Sequence, residues 1–545
     1  MLARSLTAKR NRIEKIRPLD NSAPVSSANI ACYDGYDPFW ADPDDDSVFF
    51  TANLDQELTI KSAATPNARF SNWKPSMATV IVRKRFWRQK WFLVLAVLAA
   101  ISATMVVTLA ILMHCIQLQE VPDIKEPFDL DKFGHVDVAP EDNAFELYRA
   151  ASAKLVSQTN ASRTDAVDAV LYGGWLKSSE ELRDWLEENR EALELFRQAS
   201  ERPEAVYFQP AEKTIVSPQL VVSNHLRTLA QLACLEAARL EANAKPAAAW
   251  TWLSALLRAS RHSGSHGCTV ERMVGITMHR YAYAAIVIWA ANPRLAVADL
   301  RHVLADVRKI HARTVPASET LKVEYLITRK NYADLNLFSR DLDFPWYIAN
   351  SFVMYPMGEP EMGRRLTKMI WTNWLLECDR PRHLRRPDAA GTARLYALDH
   401  DVASIEGGLS NARIESCLKR SVLGKHFLIP PQDFIIWHDC EAAKQRILEV
   451  ALALLIYFHE HAGFPETLEQ LVGHGLDEVP VDPFGTGESI RYRREPLAAD
   501  GVTIWSIGSD GVDDDASFPS NKSRADDRGD ILRQIWPPHF LGGPD

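Results

Sequence analysis

The run RTLAQLACLEAARLEANAKPAAAWTWLSALLRASR, residues 227–261, decides the fold class. Together with the residues just before it, Val222, Leu226, Leu229, Ala233, Ala237 and Leu240 recur at spacings of 4, 3, 4, 4 and 3, which places them on one face of an α-helix. Pro246 opens a second helix, since a proline in the first turn removes an N–H that has no intrahelical partner there. Trp250, Leu253 and Leu257 continue in step. A third face runs through Val270, Val274, Met278, Tyr281, Ala285 and Trp289, and Asn292-Pro293 stops it. Short connections between the three predict antiparallel neighbours. Working outward, residues 141–330 read as an α-helical domain and the chain as mainly α.

Upstream lies a different kind of helix. Residues 91–114, WFLVLAVLAAISATMVVTLAILMH, contain no Lys, Arg, Asp or Glu. At 1.5 Å per residue this run covers roughly 36 Å, enough to cross a hydrocarbon core of ~30 Å with some tilt. Arg83, Lys84, Arg85, Arg88 and Lys90 precede it, whereas Glu120, Asp123, Glu126 and Asp129 follow it with Lys125 the one base among them. Positive-inside asymmetry therefore predicts a single-pass signal-anchor with its N-terminus in the cytoplasm and everything from about residue 115 outside it. In a bacterium with two membranes that body would be periplasmic. The start 90 residues in, and the length of the apolar run, speak against a cleaved signal peptide.

Charge divides the chain at the same point. Residues 1–90 carry 14 Lys or Arg against 10 Asp or Glu, while the other 455 residues carry 48 against 61. The whole is 545 residues at a formal charge of −9, with 47% hydrophobic and 24% charged residues. Such a composition excludes disorder throughout, a collagen-like chain and a polytopic transporter. Residues 1–90 read as a disordered cytoplasmic tail, basic at its start and acidic at Asp34–Asp46. Tyr33-Asp-Gly-Tyr-Asp-Pro-Phe-Trp40 within it reads either as a docking peptide or as a solvated linker. Residues 115–140 read as a linker and 331–440 as a helical connector, with helices at Glu361–Glu377 and near 392–405.

The last segment has the tidiest pattern. Ala443, Ile447, Val450, Leu454, Tyr457 and His461 share a helical face that Gly463 and Pro465 end. Two β-branched runs, 490–494 and 502–507, flank Asp500-Gly501 and predict a hairpin. Residues 516–545 read as a C-terminal tail.

Two resemblances follow from these residues. The helix pair at 227–261 is similar to tetratricopeptide-type hairpins in its alternation of small and large residues, without a recurring 34-residue period. Residues 441–515 resemble the soluble part of the major pseudopilin of type II secretion systems. Ala451-Leu-Ala-Leu-Leu-Ile-Tyr457, Gly463-Phe-Pro465, Asp482-Pro-Phe-Gly485, Arg491-Tyr-Arg493 and Trp505-Ser-Ile-Gly-Ser-Asp-Gly511 stand in that family's order. The resemblance implies a small α+β module. It also implies a Ca²⁺ site in the terminal loop, with Asp510, Asp513, Asp514 and Asp515 as oxygen ligands. A solvated acidic loop is the other reading. Pseudopilins carry their apolar helix at the very N-terminus behind a cleavage site; here it follows Lys90. Peptidase processing and pilus assembly are accordingly not expected.

Catalytic motifs are absent: no G-x-S-x-G, P-loop, G-x-G-x-x-G after a strand, or H-E-x-x-H. His459-Glu-His461 lacks the spacing for a shared metal on one helix face. Arg261-His-Ser-Gly-Ser-His-Gly-Cys268 remains, where His262, His266, Cys268 and the later His279 offer N and S ligands for zinc. The glycines also make this stretch an ordinary inter-helix loop. The seven cysteines form no C-x-x-C pair. An acidic body beyond a membrane makes nucleic acid an unexpected partner. Two readings stand: a membrane-anchored extracytoplasmic binding or scaffold protein with unidentified protein partners, or an envelope-associated metal-dependent hydrolase using His262, His266, Cys268 and Glu271.

Overall fold

The computed structural model describes residues 82–156, 162–206, 208–213, 219–333, 354–385, 416–419, 432–494, 501–516 and 530–535. The Tyr33–Trp40 segment, the expected helix near 392–405, and Asn160 and Asn521 of two Asn-x-Ser sequons lie outside the described residues.

The protein is mainly helical. Helix α1 (Val82–Gln119) contains the uncharged run, and its Lys90–Gln119 part has a mean hydropathy of 2.6 over its most apolar window with none of that window buried in the fold. It is the one helix among the described residues long and apolar enough to cross a membrane. Short helices follow: α2 (Leu130–Gly134), α3 (Phe145–Lys154), α4 (Ser162–Gly173), α5 (Glu180–Glu188) and α6 (Arg190–Ser200). The long hairpins are α7 (Gln219–Ala242), α8 (Pro246–His262) and α9 (Thr269–Ala290), then α10 (Val297–His311) and α11 (Ala317–Ala333). The helical part closes with α12 (Glu361–Glu377) and α13 (Gln432–His461).

Helices α7, α8 and α9 pack on one another, and α13 lies across α9 and α10. Their contact is tight because small residues face it. A Cβ on Gly275 would lie 2.4 Å from the Ser263 carbonyl oxygen and 2.7 Å from that of Ser260, so α9 sits directly on the last turn of α8. Trp289 Nε1 donates to the Pro246 carbonyl at 2.9 Å, fixing the far ends of the same pair. Leu253, Leu256, Met278, Ile286, Ala451 and Leu454 are all fully buried in this core. Burying each leucine, isoleucine or methionine of this set contributes about 1.5–3 kcal/mol.

Residues 441–515 are not set apart from that core. Ile447 through Ile456 of α13 share one apolar cluster with α7, α8 and α9, and Ile490, Val502 and Ile504 belong to it as well. Strands β1 (Arg491–Arg494), β2 (Val502–Ser506) and β3 (Ile531–Ile535) form an antiparallel sheet in the order β1-β2-β3. The expected hairpin pairs Arg491 with Trp505 and Arg494 with Val502. Strand β3 falls inside the segment read above as a tail. It pairs Val502 with Ile535 and Ser506 with Ile531, so a distant strand covers the second edge of β2. Asp482, 1% exposed, ties the preceding loop to β2 by accepting from Ser506 Oγ at 2.6 Å and from the Ile507 N–H at 2.9 Å.

A second core joins α11, α12 and the start of α13 around Tyr325, Trp371, Trp374 and Phe434. Val121, just past α1, is fully buried in it. The expected linker is therefore packed structure. The Arg365 guanidinium donates to the carbonyls of Leu118 and Val121, each at 2.9 Å, which satisfies orphan acceptors at the C-terminus of α1. Arg364 and Lys368 both reach Asp123 at 2.9 Å. The His114 ring stacks on Tyr355 at 4.1 Å and its Nδ1 donates to the Tyr355 carbonyl at 2.6 Å. Helix α12 thus clamps the body to the end of the apolar helix.

Candidate functional site

The site grows from the turn between α8 and α9. Gly264 has φ +86°, and a Cβ there would lie 2.3 Å from the Arg272 Cα, so the position excludes every side chain. This close turn sets Arg261, at the end of α8, beside Arg272, on the second turn of α9. Both guanidiniums donate to a single carboxylate, Glu441 of α13. All three side chains are at most 3% exposed. Arg261 also donates to Thr314 Oγ1 at 2.8 Å and to Ser260 Oγ at 3.2 Å. Gln445 reaches the same Thr314 hydroxyl at 3.0 Å.

Burial by itself would raise the pKa of Glu441, yet the two guanidiniums outweigh it and hold the carboxyl well below the usual carboxylate range. Burial brings Arg261 down to about 10, with Glu441 opposing that fall. The arginine is still protonated at neutral pH. Two cations therefore share one anion, and a positive charge is left over. Among the described residues, Arg272 Nε and Nη1 have no hydrogen-bond acceptor.

Beside the triad, His279 Nε2 lies 3.3 Å from His311 Nε2, and His311 Nδ1 lies 3.0 Å from Glu449. Burial pushes the pKa of both imidazoles down, His279 farther than His311, whose carboxylate partner opposes the shift.

A cavity of about 210 Å³ opens where the end of α8 meets the loop after α10. Arg258, Arg261, His262, Ser265 and Arg313 line it, with Glu204 among the remaining lining residues. Arg258 Nε donates to the Ser200 carbonyl at 3.1 Å, at the C-terminal end of α6. Among the described residues neither Arg258 nor Arg313 has a carboxylate within ion-pair distance, whereas Arg197, nearby, has both Glu194 and Glu201. His262 Nδ1 lies 2.9 Å from the Tyr148 hydroxyl. Burial, reinforced by Arg258 and Arg313, pushes His262 down to about 4, so the ring is neutral at physiological pH.

The zinc ligands read from the sequence do not converge. His262 faces Tyr148, and His266 stands 3.6 Å from Glu204 at the surface. Cys268 is buried against Val323 and Ile327, and burial pushes its thiol pKa far up. Its N–H donates to Glu271 Oε2 at 2.7 Å, capping α9, and Lys213 Nζ reaches the same oxygen at 2.7 Å. His279 faces His311 instead. These side chains are near one another in sequence, but the local backbone sends them to different neighbours.

The acidic loop is similarly engaged. Asp513 accepts from Trp505 Nε1 at 3.0 Å and from Arg491 Nε at 3.2 Å. Asp515 pairs with Arg493 at 2.9 Å, and Asp510 accepts the Val512 N–H at 3.1 Å in a local turn. The Asp514 N–H faces Asp530 at 3.5 Å. A different group meets the geometry of a metal centre. Glu460, His461 and His474 place their ligand atoms within 4.8 Å of one another at the C-terminal end of α13. Arg301 already pairs with Glu460 at 2.5 Å there.

Comparison of the chain with protein-family models, with curated proteins and with solved structures finds no match.

Proposed function

We propose that the protein is a single-pass, membrane-anchored binding or scaffold protein whose helical body lies outside the cytoplasm. One observation carries this reading. The most apolar window of α1 has no residue buried in the fold, and a run of that hydropathy left bare in water would be a severe aggregation hazard. A bilayer covers it. The basic residues in the first turns of α1, ahead of its uncharged run, and the acids after the helix favour that direction. The contacts of Arg364, Arg365 and Lys368 tie the body to the end of the helix.

Of the residues named for a hydrolase, Cys268 and Glu271 meet through the cap of α9, whereas His262 faces Tyr148 and His266 faces Glu204, so the geometry favours the binding reading. For residues 441–515 we retain the pseudopilin likeness as a proposal about the module alone, supported by the long helix, the Asp482 loop and the β1–β2 hairpin. The C-terminal module would then serve as a wall of the body, since its helix also fills the main core.

Alkaline extraction of membranes tests the anchor. The full chain is expected to stay in the membrane pellet at high pH and to leave it in detergent. A variant with Leu98→Arg and Val106→Arg is expected in the soluble fraction, because each arginine near a helix centre costs about 2.5–3.5 kcal/mol. Release of the unaltered chain at high pH contradicts the reading.

A further inference from the structure

We propose that the cavity between α8 and the loop after α10 binds a small oxyanion of the phosphate type, held by Arg258, Arg261 and Arg313. The proposal supplies a ligand class for the binding reading and rests on it, but it does not depend on the membrane placement.

Charge is the first argument. Arg261 brings into the cavity wall the unbalanced positive charge of the buried triad, in which Arg261 and Arg272 share Glu441 alone. Arg258 adds a half-buried guanidinium, and Glu201 and Asp306 act on it without a contact. Arg313 adds an exposed one at the rim. Glu204 is the acidic residue among those lining the cavity, and its carboxylate lies 3.6 Å from His266. Three guanidiniums in the wall, against Glu204 there and the more distant Glu201 and Asp306, make a positive local potential in a concave, partly desolvated place, where such a field is focused.

The donor chemistry is the second argument. Guanidinium forks match the oxygens of phosphate and hold their charge at every physiological pH. Arg258 uses its Nε on the Ser200 carbonyl, which fixes the side chain in place before any ligand arrives. Ser265 contributes a hydroxyl to the wall. The neutral His262 ring, kept that way by burial and the two neighbouring arginines, offers a further polar edge. Size is the third. About 210 Å³ falls below the ~300–1,000 Å³ of pockets for drug-sized molecules and suits an ion or a small phosphate ester.

The test uses the detergent-solubilised full chain and inorganic phosphate. Melting temperature and calorimetric binding are followed up to ~10 mM phosphate at constant ionic strength set with chloride, since a ligand of the native state raises the midpoint by mass action. Succinate in a parallel titration distinguishes a carboxylate ligand. The proposal expects a saturable rise with phosphate, and a weaker response to succinate. It expects Arg313→Gln to weaken phosphate binding by about tenfold or more, as the loss of a charge-assisted contact does. Arg313 is exposed, so this variant keeps its fold; Arg258→Gln, if it folds, shows the same loss. No response to phosphate, an equal response in Arg313→Gln, or a preference for succinate overturns the proposal.

Discussion

Replacing Glu441 with alanine is expected to destabilise the body more than any other single charge removal. The carboxylate is 1% exposed and, among the described residues, is the one carboxylate shared by two guanidiniums from different helices. Its loss leaves Arg261 and Arg272 buried with no counter-ion, and truncating one member of a buried ionic group costs about 3–5 kcal/mol. At ~4 kcal/mol and about 2 °C per kcal/mol for a large domain, the midpoint should fall by roughly 8 °C. Thermal unfolding followed by near-ultraviolet circular dichroism in detergent measures it. The pH dependence gives an independent check. The folded pKa of Glu441 lies below its unfolded value, so its contribution is fully present above the unfolded pKa of about 4.3 and is lost as pH falls through the folded one. The gap between the wild type and Glu441→Gln should thus narrow below pH ~4.3. A triple exchange, Arg261→Met with Arg272→Met and Glu441→Leu, should recover most of the loss, because apolar replacements of a buried ionic group are often neutral or stabilising. A midpoint for Glu441→Ala within about 1 °C of wild type would refute the reasoning, since so small a shift is under 1 kcal/mol.

Gly275→Ala should lower the melting temperature by several degrees, because its methyl would meet the carbonyl oxygens of Ser260 and Ser263 at the end of α8 and overpacking costs about 1–3 kcal/mol; an unchanged midpoint would mean the helices are not so close. Arg365→Ala should speed tryptic cleavage after Lys125 by loosening the end of α1, read by mass spectrometry of timed digests; an unchanged rate would mean that the clamp contributes nothing. His262→Gln should flatten the acid dependence of stability between pH ~6.5 and ~4, since the folded His262 pKa of about 4 lies below the unfolded one and stability falls as pH drops through that window. Calcium at ~5 mM should leave the midpoint unmoved, because arginines already engage Asp513 and Asp515; a clear rise would restore the site that the pseudopilin resemblance implies.

Local periodicity carried the helices into view. Helix α12 spans Glu361–Glu377 as its apolar spacing predicts, α8 starts at Pro246, and α13 ends at His461 where Gly463 and Pro465 forbid more. Helix α13 begins at Gln432, earlier than its repeating face at Ala443 suggests, because Phe434 serves a different core from Ile447. Residues 115–140 read as a linker because their buried groups are few and partners such as Arg365 and Lys368 come some 240 residues later. Strand β3 was hidden for the same reason: Ile531–Ile535 becomes a strand only when β2 offers it an edge. The polar centre was the least legible part. Arg261, Arg272 and Glu441 meet across a separation of up to 180 residues. The available signal was a charge on an otherwise apolar helical stretch, and nothing local says which opposite charge will meet it. The His-rich loop sets metal-binding side chains close together in sequence, yet nearness in sequence does not make them converge.

The most direct test of the account is a protease-protection experiment on right-side-out membrane vesicles, with one epitope tag on the N-terminus and another on the C-terminus of the full chain. The account predicts that added protease removes the C-terminal tag and spares the N-terminal one until detergent opens the vesicles. Protection of the C-terminal tag with loss of the N-terminal one, or loss of both without detergent, would contradict it.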